Sequence, residues 1–501
     1  MPDQPQSHFD RFLRPLLASR FLTISALIHL LLILLFGGRV LFNKYVEPPD
    51  FQSAGDTVST ESESAPPPPP PDASLPAPPT VSAPPPPAVA SMVALTSFSP
   101  TSSAFSMPVP VMAPPALSNQ ISSQVQQSFG TGVGPALPVA MSGRGSGQRE
   151  ETAERFGQKP ESEQAVMRAL QWLQTKQNTD GTWGVERDRG GFTGLALLCY
   201  LGHGETPQTS REFGLVVNNA INAILLEGNQ HQGRLSFGDG FDDEKSPYEH
   251  GICTYALCEA YTMTKDPKLA PLVRQAVNYI IQGQRPDGSW AYRYDTTGGD
   301  TQFGPKSDTS VTGWQIQALK AAHLTGLPGM EEKVHPALDK AMQFLDQVYS
   351  EKDGSFGYRK AGDRTSLTGV GVLSKLLWLG RADHTVHEGL KNIQSKDLSY
   401  SGPDCNLYTW YYDTQACFQA QGGAWDWWNA RFQKQLTDTQ SSDGSWPPTG
   451  GGETGSDYAT NTSGNGPVYR TTLCCLMLEV FYRYLPSSQD TSMGGGQIQG
   501  L

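Results

Sequence analysis

Three kinds of hydrophobic patterning divide the chain. From Phe21 to Gly38 there is no Asp, Glu, Lys or Arg, and the heart of the run reads LTISALIHLLLILLF. Eighteen helical residues span about 27 Å, close to a hydrocarbon core of roughly 30 Å, so a transmembrane helix is expected over 21–42. Arg11, Arg14 and Arg20 precede it, and Arg39 and Lys44 follow. That bias puts a tail of residues 1–20 in the cytoplasm and the rest of the chain outside a cell inner membrane, as a single-pass protein with a periplasmic or extracytoplasmic domain. A cleaved signal peptide is the alternative, but Gly37-Gly38 followed by Arg39, Val40 and Leu41 makes a poor small-residue cleavage site. Residues 43–158 alternate in no period. They hold PPPPPPDASLPAPPTVSAPPPP and then Ser, Gln and Gly, and from 47 to 150 the aromatics are all Phe. Such a segment cannot bury enough apolar surface to offset chain entropy, and a disordered proline-rich linker is expected. Its proline runs form a polyproline II spacer, with binding to a proline-recognition module as the sharper alternative.

From residue 159 to 486 helical periods take over, followed by a tail expected to be disordered over 487–501. Amphipathic segments such as EQAVMRALQWLQTK (163–176) and LAPLVRQAVNYIIQ (269–282) alternate with segments apolar all round, such as GFTGLALLCYLG (191–202), SVTGWQIQALKAA (310–322) and TWYYDTQACFQA (409–420). An amphipathic helix has one wet face, whereas a helix apolar all round is buried. Between them a phrase recurs: QNTDGTW at 177–183, QRPDGSW at 284–290, SEKDGSF at 350–356 and QSSDGSW at 440–446. A weaker copy, HQGRLSF, ends at Phe237, and the wide gap before Trp446 leaves room for a degenerate unit near Leu398–Pro403. Self-similarity at this period means stacked supersecondary units. The expected fold is all-α: an α/α toroid of six helix hairpins, with an inner and an outer ring. Gln177, Gly181, Trp183, Gln284, Gly288, Trp290, Gly354, Phe356, Gln440, Gly444 and Trp446 read as turn and staple residues. Asp-Gly makes the tight turn, and the aromatic packs back on the helix end.

Two resemblances follow from these residues. The Q-x-x-D-G-x-W repeats between paired helices resemble the QW motifs of the squalene/hopene cyclase and protein prenyltransferase superfamily, which implies the toroid but not one activity. Ser25 and His29, four apart on one face of the membrane helix and followed by a proline-rich tract, resemble the anchor of TonB. That likeness implies a proton-driven motor complex as partner. An ionisable group within a span is a functional hypothesis in itself, although hydrogen bonding to another helix would also accommodate it.

The chemistry of the superfamily is not visible in this chain. The Asp-x-Asp-Asp-Thr acid of class II cyclases is absent; the nearest strings are Asp308-Thr309-Ser310 and Asp242-Asp243-Glu244. Prenyltransferase zinc needs Asp and Cys two apart plus a His, and here Asp404 and Cys405 are adjacent. No metal and no cofactor is expected. The candidate pocket lies at the inner-helix openings: Tyr248, Glu249, His250, Asp308, Trp314, Trp410, Tyr411, Asp413, Tyr469 and Arg470. Glu249 and His250 are sequence neighbours, about 100° apart on a helix, and do not pair naturally. Asp308 also reads as an N-cap. Asp413, flanked by Tyr411 and Tyr412 inside a helix, needs a partner if buried. Trp425, Trp427 and Trp428 read as packing or surface stacking groups. The seven cysteines, six of them in inner-helix patterns, read as buried thiols with room for one disulfide.

Composition narrows the partners. The net charge is −12, from 37 basic and 49 acidic residues, which argues against nucleic acid. A non-catalytic binding or scaffolding toroid for a protein, glycan or lipid of the cell envelope is the leading expectation. A polysaccharide lyase or hydrolase is the first alternative, and a terpenoid cyclase-like enzyme without its usual acid is the second. The centre of the ring separates them. A deep apolar tube favours lipid, a cleft with converging carboxylates and Arg favours glycan, and a flat polar mouth favours protein.

Overall fold

The structure, a computed structural model, describes residues 134–486 apart from 146, 186–187, 238–245, 295–305, 452–457 and 463. The expected membrane span with Ser25 and His29, the proline runs, the string 242–244 and the tail from 487 lie outside the described residues. Among those described, no helix is long and apolar enough to cross a membrane.

A 3-10 turn (Val139–Arg144) and a short helix α1 (Arg149–Arg155) precede six helix pairs. The pairs are α2 (Pro160–Lys176) with α3 (Arg189–Gly202), α4 (Gly214–Gln230) with α5 (Ser246–Thr264), and α6 (Ala270–Gln282) with α7 (Thr309–Leu324). Then come α8 (Glu331–Val348) with α9 (Thr368–Trp378), α10 (His384–Gln394) with α11 (Leu407–Ala420), and α12 (Gly422–Thr439) with α13 (Gly466–Leu478). A one-turn helix α14 (Val480–Arg483) ends the fold. Strands β1 (Tyr349–Ser350) and β2 (Ser355–Phe356) pair antiparallel between α8 and α9, with Tyr349 opposite Phe356.

Burial separates the rings. In α3 every residue but Arg189 is buried, and in α7 every residue but His323, whereas α2 buries one stripe from Ser162 to Leu173. The inner helices α3, α5, α7, α9, α11 and α13 each pack on the next, and α13 packs back on α3. The outer helix α12 likewise meets α2. The ring is therefore closed, as the repeat pattern implies.

In three of its four copies, those with Gln and Trp, the recurring phrase ties successive outer helices together in one way. Gln177 donates from Nε2 to Gly181 O (3.1 Å) and to Val216 O at the start of the next outer helix (2.9 Å). Gln284 does the same with Gly288 O (2.9 Å) and Ala337 O (2.7 Å). Gln440 bonds Gly444 O (3.0 Å) and Ala165 O (2.8 Å), and so joins the last outer helix to the first. Trp183, Trp290 and Trp446 each donate the indole N–H to a carbonyl ten residues earlier, capping their own outer helix. Gly288 has φ +92°, and a Cβ there would overlap the Lys340 carbonyl of the next outer helix. Glycine alone tolerates both conditions.

One expectation fails. The linker ends before residue 134 rather than at 158. Met141 is buried, Leu485 N–H donates to Ala140 O (2.8 Å), and Arg144 reaches into the ring. Its guanidinium meets Glu259 of α5 at 2.6 Å, and both side chains are wholly buried. Tyr484 donates to Glu259 at 2.5 Å, and Arg144 Nε donates to Arg483 O at 2.8 Å. The chain wedges in here because a buried carboxylate on the axis demands a cation. That partner lies 115 residues away in sequence.

The ring centre is filled. Trp314 stacks on Tyr411 (5.5 Å), Tyr412 packs edge-on to both, and Lys320 sits over the Tyr484 ring at 3.0 Å from its centroid. The void left beside Lys320, Gln415 and Arg483 is about 10 Å³. All seven cysteines are buried and free, so the disulfide allowed for above does not form.

Candidate functional site

Hairpin geometry brings the phrase turns and the inner-helix N-termini to one end of the ring. Three carboxylates gather there. Asp188 precedes α3 and accepts hydrogen bonds from the Tyr458 hydroxyl and from Asn465 Nδ2 (3.3 Å). Glu249 lies in the first turn of α5. Its Oε1 accepts Gly190 N–H (3.2 Å), and its Oε2 accepts Ser236 Oγ–H and Phe237 N–H (both 3.1 Å). Burial, reinforced by the nearby Asp188 charge, pushes the Glu249 carboxyl up to about 8. Asp308 caps α7, accepting Val311 N–H at 2.9 Å, as its sequence context implied. Burial raises its carboxyl, while Tyr358, Arg359 and Tyr292 lean the other way.

Tyrosines tie these acids into a belt. Tyr248 OH donates to Ser310 Oγ (3.0 Å), which donates to Tyr408 OH (2.6 Å), crossing from α5 through α7 to α11. The Tyr248 ring lies 5.8 Å from that of Tyr292, whose hydroxyl meets Tyr358 OH at 2.9 Å. Tyr458 packs against Tyr469 (5.6 Å) and Phe192 (5.4 Å). Tyr292 and Tyr458 are half-buried, whereas Tyr248, Tyr408 and Tyr469 are sealed below them.

Several residues picked out by sequence have no place in a pocket. His250 points outward: Nδ1 accepts Leu235 N–H and Nε2 faces Ala276 O, each at 3.0 Å. Burial pushes it down to about 4, so it is a neutral strut. Arg470 is spent on carbonyls: Trp446 (2.9 Å), Tyr458 (2.8 Å) and Asn461 (2.6 Å). Trp314 of α7 and Trp410 and Tyr411 of α11 are buried in the packed centre because both helices are buried on every face. Trp425 and Trp428 are buried packing groups, with Trp427 half-buried beside Trp428. Asp413 is buried with no hydrogen-bond partner among the described residues, and Lys396 Nζ stands 3.9 Å away. Burial raises its carboxyl to about 6 against the pull of Lys396.

The opposite end carries a cleft that sequence reasoning missed. It holds about 720 Å³ between the 134–145 segment and the loop 203–213. His203 sits between Glu163 (3.0 Å) and Glu205 (2.7 Å). Burial opposes its charge, but the two carboxylates outweigh burial and lift it to about 9. Four separated parts of the chain line this cleft, and no local motif marks it. Among the described residues, no cluster of His, Cys, Asp and Glu is arranged to hold a metal ion.

No protein-family model matches the chain, and no curated protein matches it. Solved structures of similar shape include a GH76 α-1,6-mannanase of Salegentibacter sp. in complex with α-1,6-mannotriose, at 12% identity and TM-score 0.45, covering 64% of this chain and 98% of that one. A protein from Actinoplanes gives 16% identity and TM-score 0.44 over 64% of this chain and 99% of its own. The type II terpene cyclase MstE from Scytonema gives 12% and 0.40 over 64% and 97%.

Proposed function

We propose that the toroid is a glycan-binding domain of the cell envelope, held outside the membrane by a single N-terminal helix and a proline-rich tether. The observation that carries this reading is the belt of tyrosines and carboxylates at the inner-helix openings, set over a closed floor. Sugar rings stack on tyrosine faces, and Tyr292 and Tyr458 are the half-buried members of this belt. A terpenoid would need an apolar tube, and the void beside Lys320, Gln415 and Arg483 is about 10 Å³. The test is calorimetric titration of the full chain in detergent with a panel of neutral and acidic oligosaccharides, alongside geranylgeranyl diphosphate. Oligosaccharide binding weakened by Tyr292→Ala and Tyr458→Ala supports the reading. Binding of the isoprenoid alone discards it.

A hydrolytic version rests on Glu249. A carboxyl raised to about 8 suits the proton donor that glycoside cleavage needs. Release of reducing ends that is lost in Glu249→Gln would favour turnover over binding.

The tether carries its own proposal. Ser25 and His29 contact a proton-driven motor complex of the TonB-associated type. Co-purification of that complex should disappear in His29→Leu while membrane insertion persists.

A further inference from the structure

The tyrosine belt lies at the inner-helix openings, whereas the N-terminal wedge meets α14 on the axis of the ring. Three cations converge there on the ring of Tyr484. Lys320 Nζ stands 3.0 Å from its centroid, the Arg144 guanidinium 4.8 Å and the Arg483 guanidinium 6.0 Å. All three side chains are buried. Like charges this close repel strongly away from water, and a buried cation without a counter-charge is costly.

The acids within reach fall short of balancing them. Glu259 forms its ion pair with Arg144 and accepts the Tyr484 hydroxyl. It also draws Lys320 and Arg483 electrostatically, so one negative charge is shared among three positive ones. Burial pushes the Glu479 carboxyl up to about 8 against the pull of His203 and Arg483, which keeps it protonated at neutral pH. Arg483 Nη2 donates to Tyr255 OH at 2.9 Å, and the Tyr411 hydroxyl is its other polar neighbour. Neither hydroxyl carries a charge to offset the guanidinium. Its buried Nε and Nη1 have no hydrogen-bond acceptor among the described residues. Burial drives the Lys320 ammonium well down, with Glu259 opposing and Arg483 and Arg144 adding to the push. A negative partner beside it is what would hold that proton on.

Lys320 and Arg483 line one void of about 10 Å³, walled also by Gln415, Gln419, Leu373 and Leu476. A space of that size takes roughly one water-sized sphere. A sulfate or phosphate does not fit, and the excess of positive charge favours an anion over a water. We infer that Lys320 and Arg483 hold a single-atom anion of the chloride class in this void, where it supplies the counter-charge that Glu259 alone does not. The ion pins the wedge, α7 and α14 to one point, whatever the belt binds.

The test is urea unfolding of the full chain in detergent, with potassium chloride replacing potassium gluconate stepwise at constant ionic strength. An ion that binds the folded state alone lowers the unfolding constant about tenfold for each tenfold rise in chloride once the site fills. Bromide should substitute for chloride, and sulfate should not. Lys320→Met keeps a side chain of similar length without the charge, so the gain of chloride over gluconate should vanish in it, while general salt effects act on both proteins alike. Equal wild-type stability in chloride and gluconate overturns the inference, since the void then holds water beside a neutral amine. A gain that persists in Lys320→Met places the ion elsewhere and overturns it too. If the variant does not fold, chloride nuclear resonance with the wild-type chain decides. A line broadened by the protein and narrowed again by bromide, but not by gluconate, supports the site, and an unbroadened line overturns it.

Discussion

Replacing Arg144 with Ala tests whether the residues before the repeats belong to the fold. Glu259 receives two N–H groups from Arg144, at 2.6 and 3.0 Å, and one hydroxyl from Tyr484 at 2.5 Å. Together these hold its carboxyl below the usual range despite complete burial. The substitution removes two of those three donors and leaves a carboxylate stranded on the axis. Breaking a buried pair in this way costs about 3–5 kcal/mol. Arg483 stays close enough to compensate partly, so the lower end is expected. The assay is urea unfolding of the full chain in detergent, followed by tryptophan fluorescence. All ten tryptophans lie at or beyond Trp172, so the signal reports the ring. Arg144→Met combined with Glu259→Leu should recover most of the loss, because removing both charges also removes the burial penalty. A cost of Arg144→Ala below about 1 kcal/mol would refute the reasoning, since the wedge would then be a loosely attached strap. A double variant no better than the sum of its singles would refute it equally.

Other outcomes can be checked alongside. Glu249 has its folded value raised to about 8, so its contribution to stability is full below about pH 4.5 and is lost as pH rises through 8; Glu249→Gln should flatten that fall in unfolding measured from pH 5 to 8. Gln440→Ala should cost ~1–3 kcal/mol in urea unfolding by opening the seam between α12 and α2 and leaving the buried carbonyl of Ala165 short of a donor. Gly288→Ala should be worse, abolishing soluble expression or costing about 3 kcal/mol or more, because φ +92° and the Lys340 carbonyl both exclude a side chain. A wild-type unfolding midpoint for Gly288→Ala would show that the turn is not held as described.

How far the sequence could be read depended on the range of the interactions. The phrase repeats are local, so their turn and staple roles were legible, and six inner helices apolar on every face implied a closed ring. The pair Thr-Gly in three inner helices carried more than was taken from it. Thr193 and Thr312 each accept the N–H of the phrase tryptophan at 3.0 Å. Gly194, Gly313 and Gly369 face the next inner helix so closely that a Cβ would collide. One dipeptide therefore joins the phrase to the ring and sets the inner spacing. The site was less legible because burial depends on tertiary context. His250 and Arg470 sit at inner-helix openings in sequence, yet His250 is spent on Leu235 N–H and the Ala276 carbonyl of α6, and Arg470 on carbonyls of the loop before α13. The Arg144 wedge was hidden for a further reason. Averaging composition over a proline-rich stretch dilutes the short apolar run Leu137 to Met141, and nothing local shows that Glu259 is waiting for a cation. A lone Arg at the end of a low-complexity tract, ahead of a repeat array with a buried acid to neutralise, is the signal that would have moved the domain boundary to residue 134.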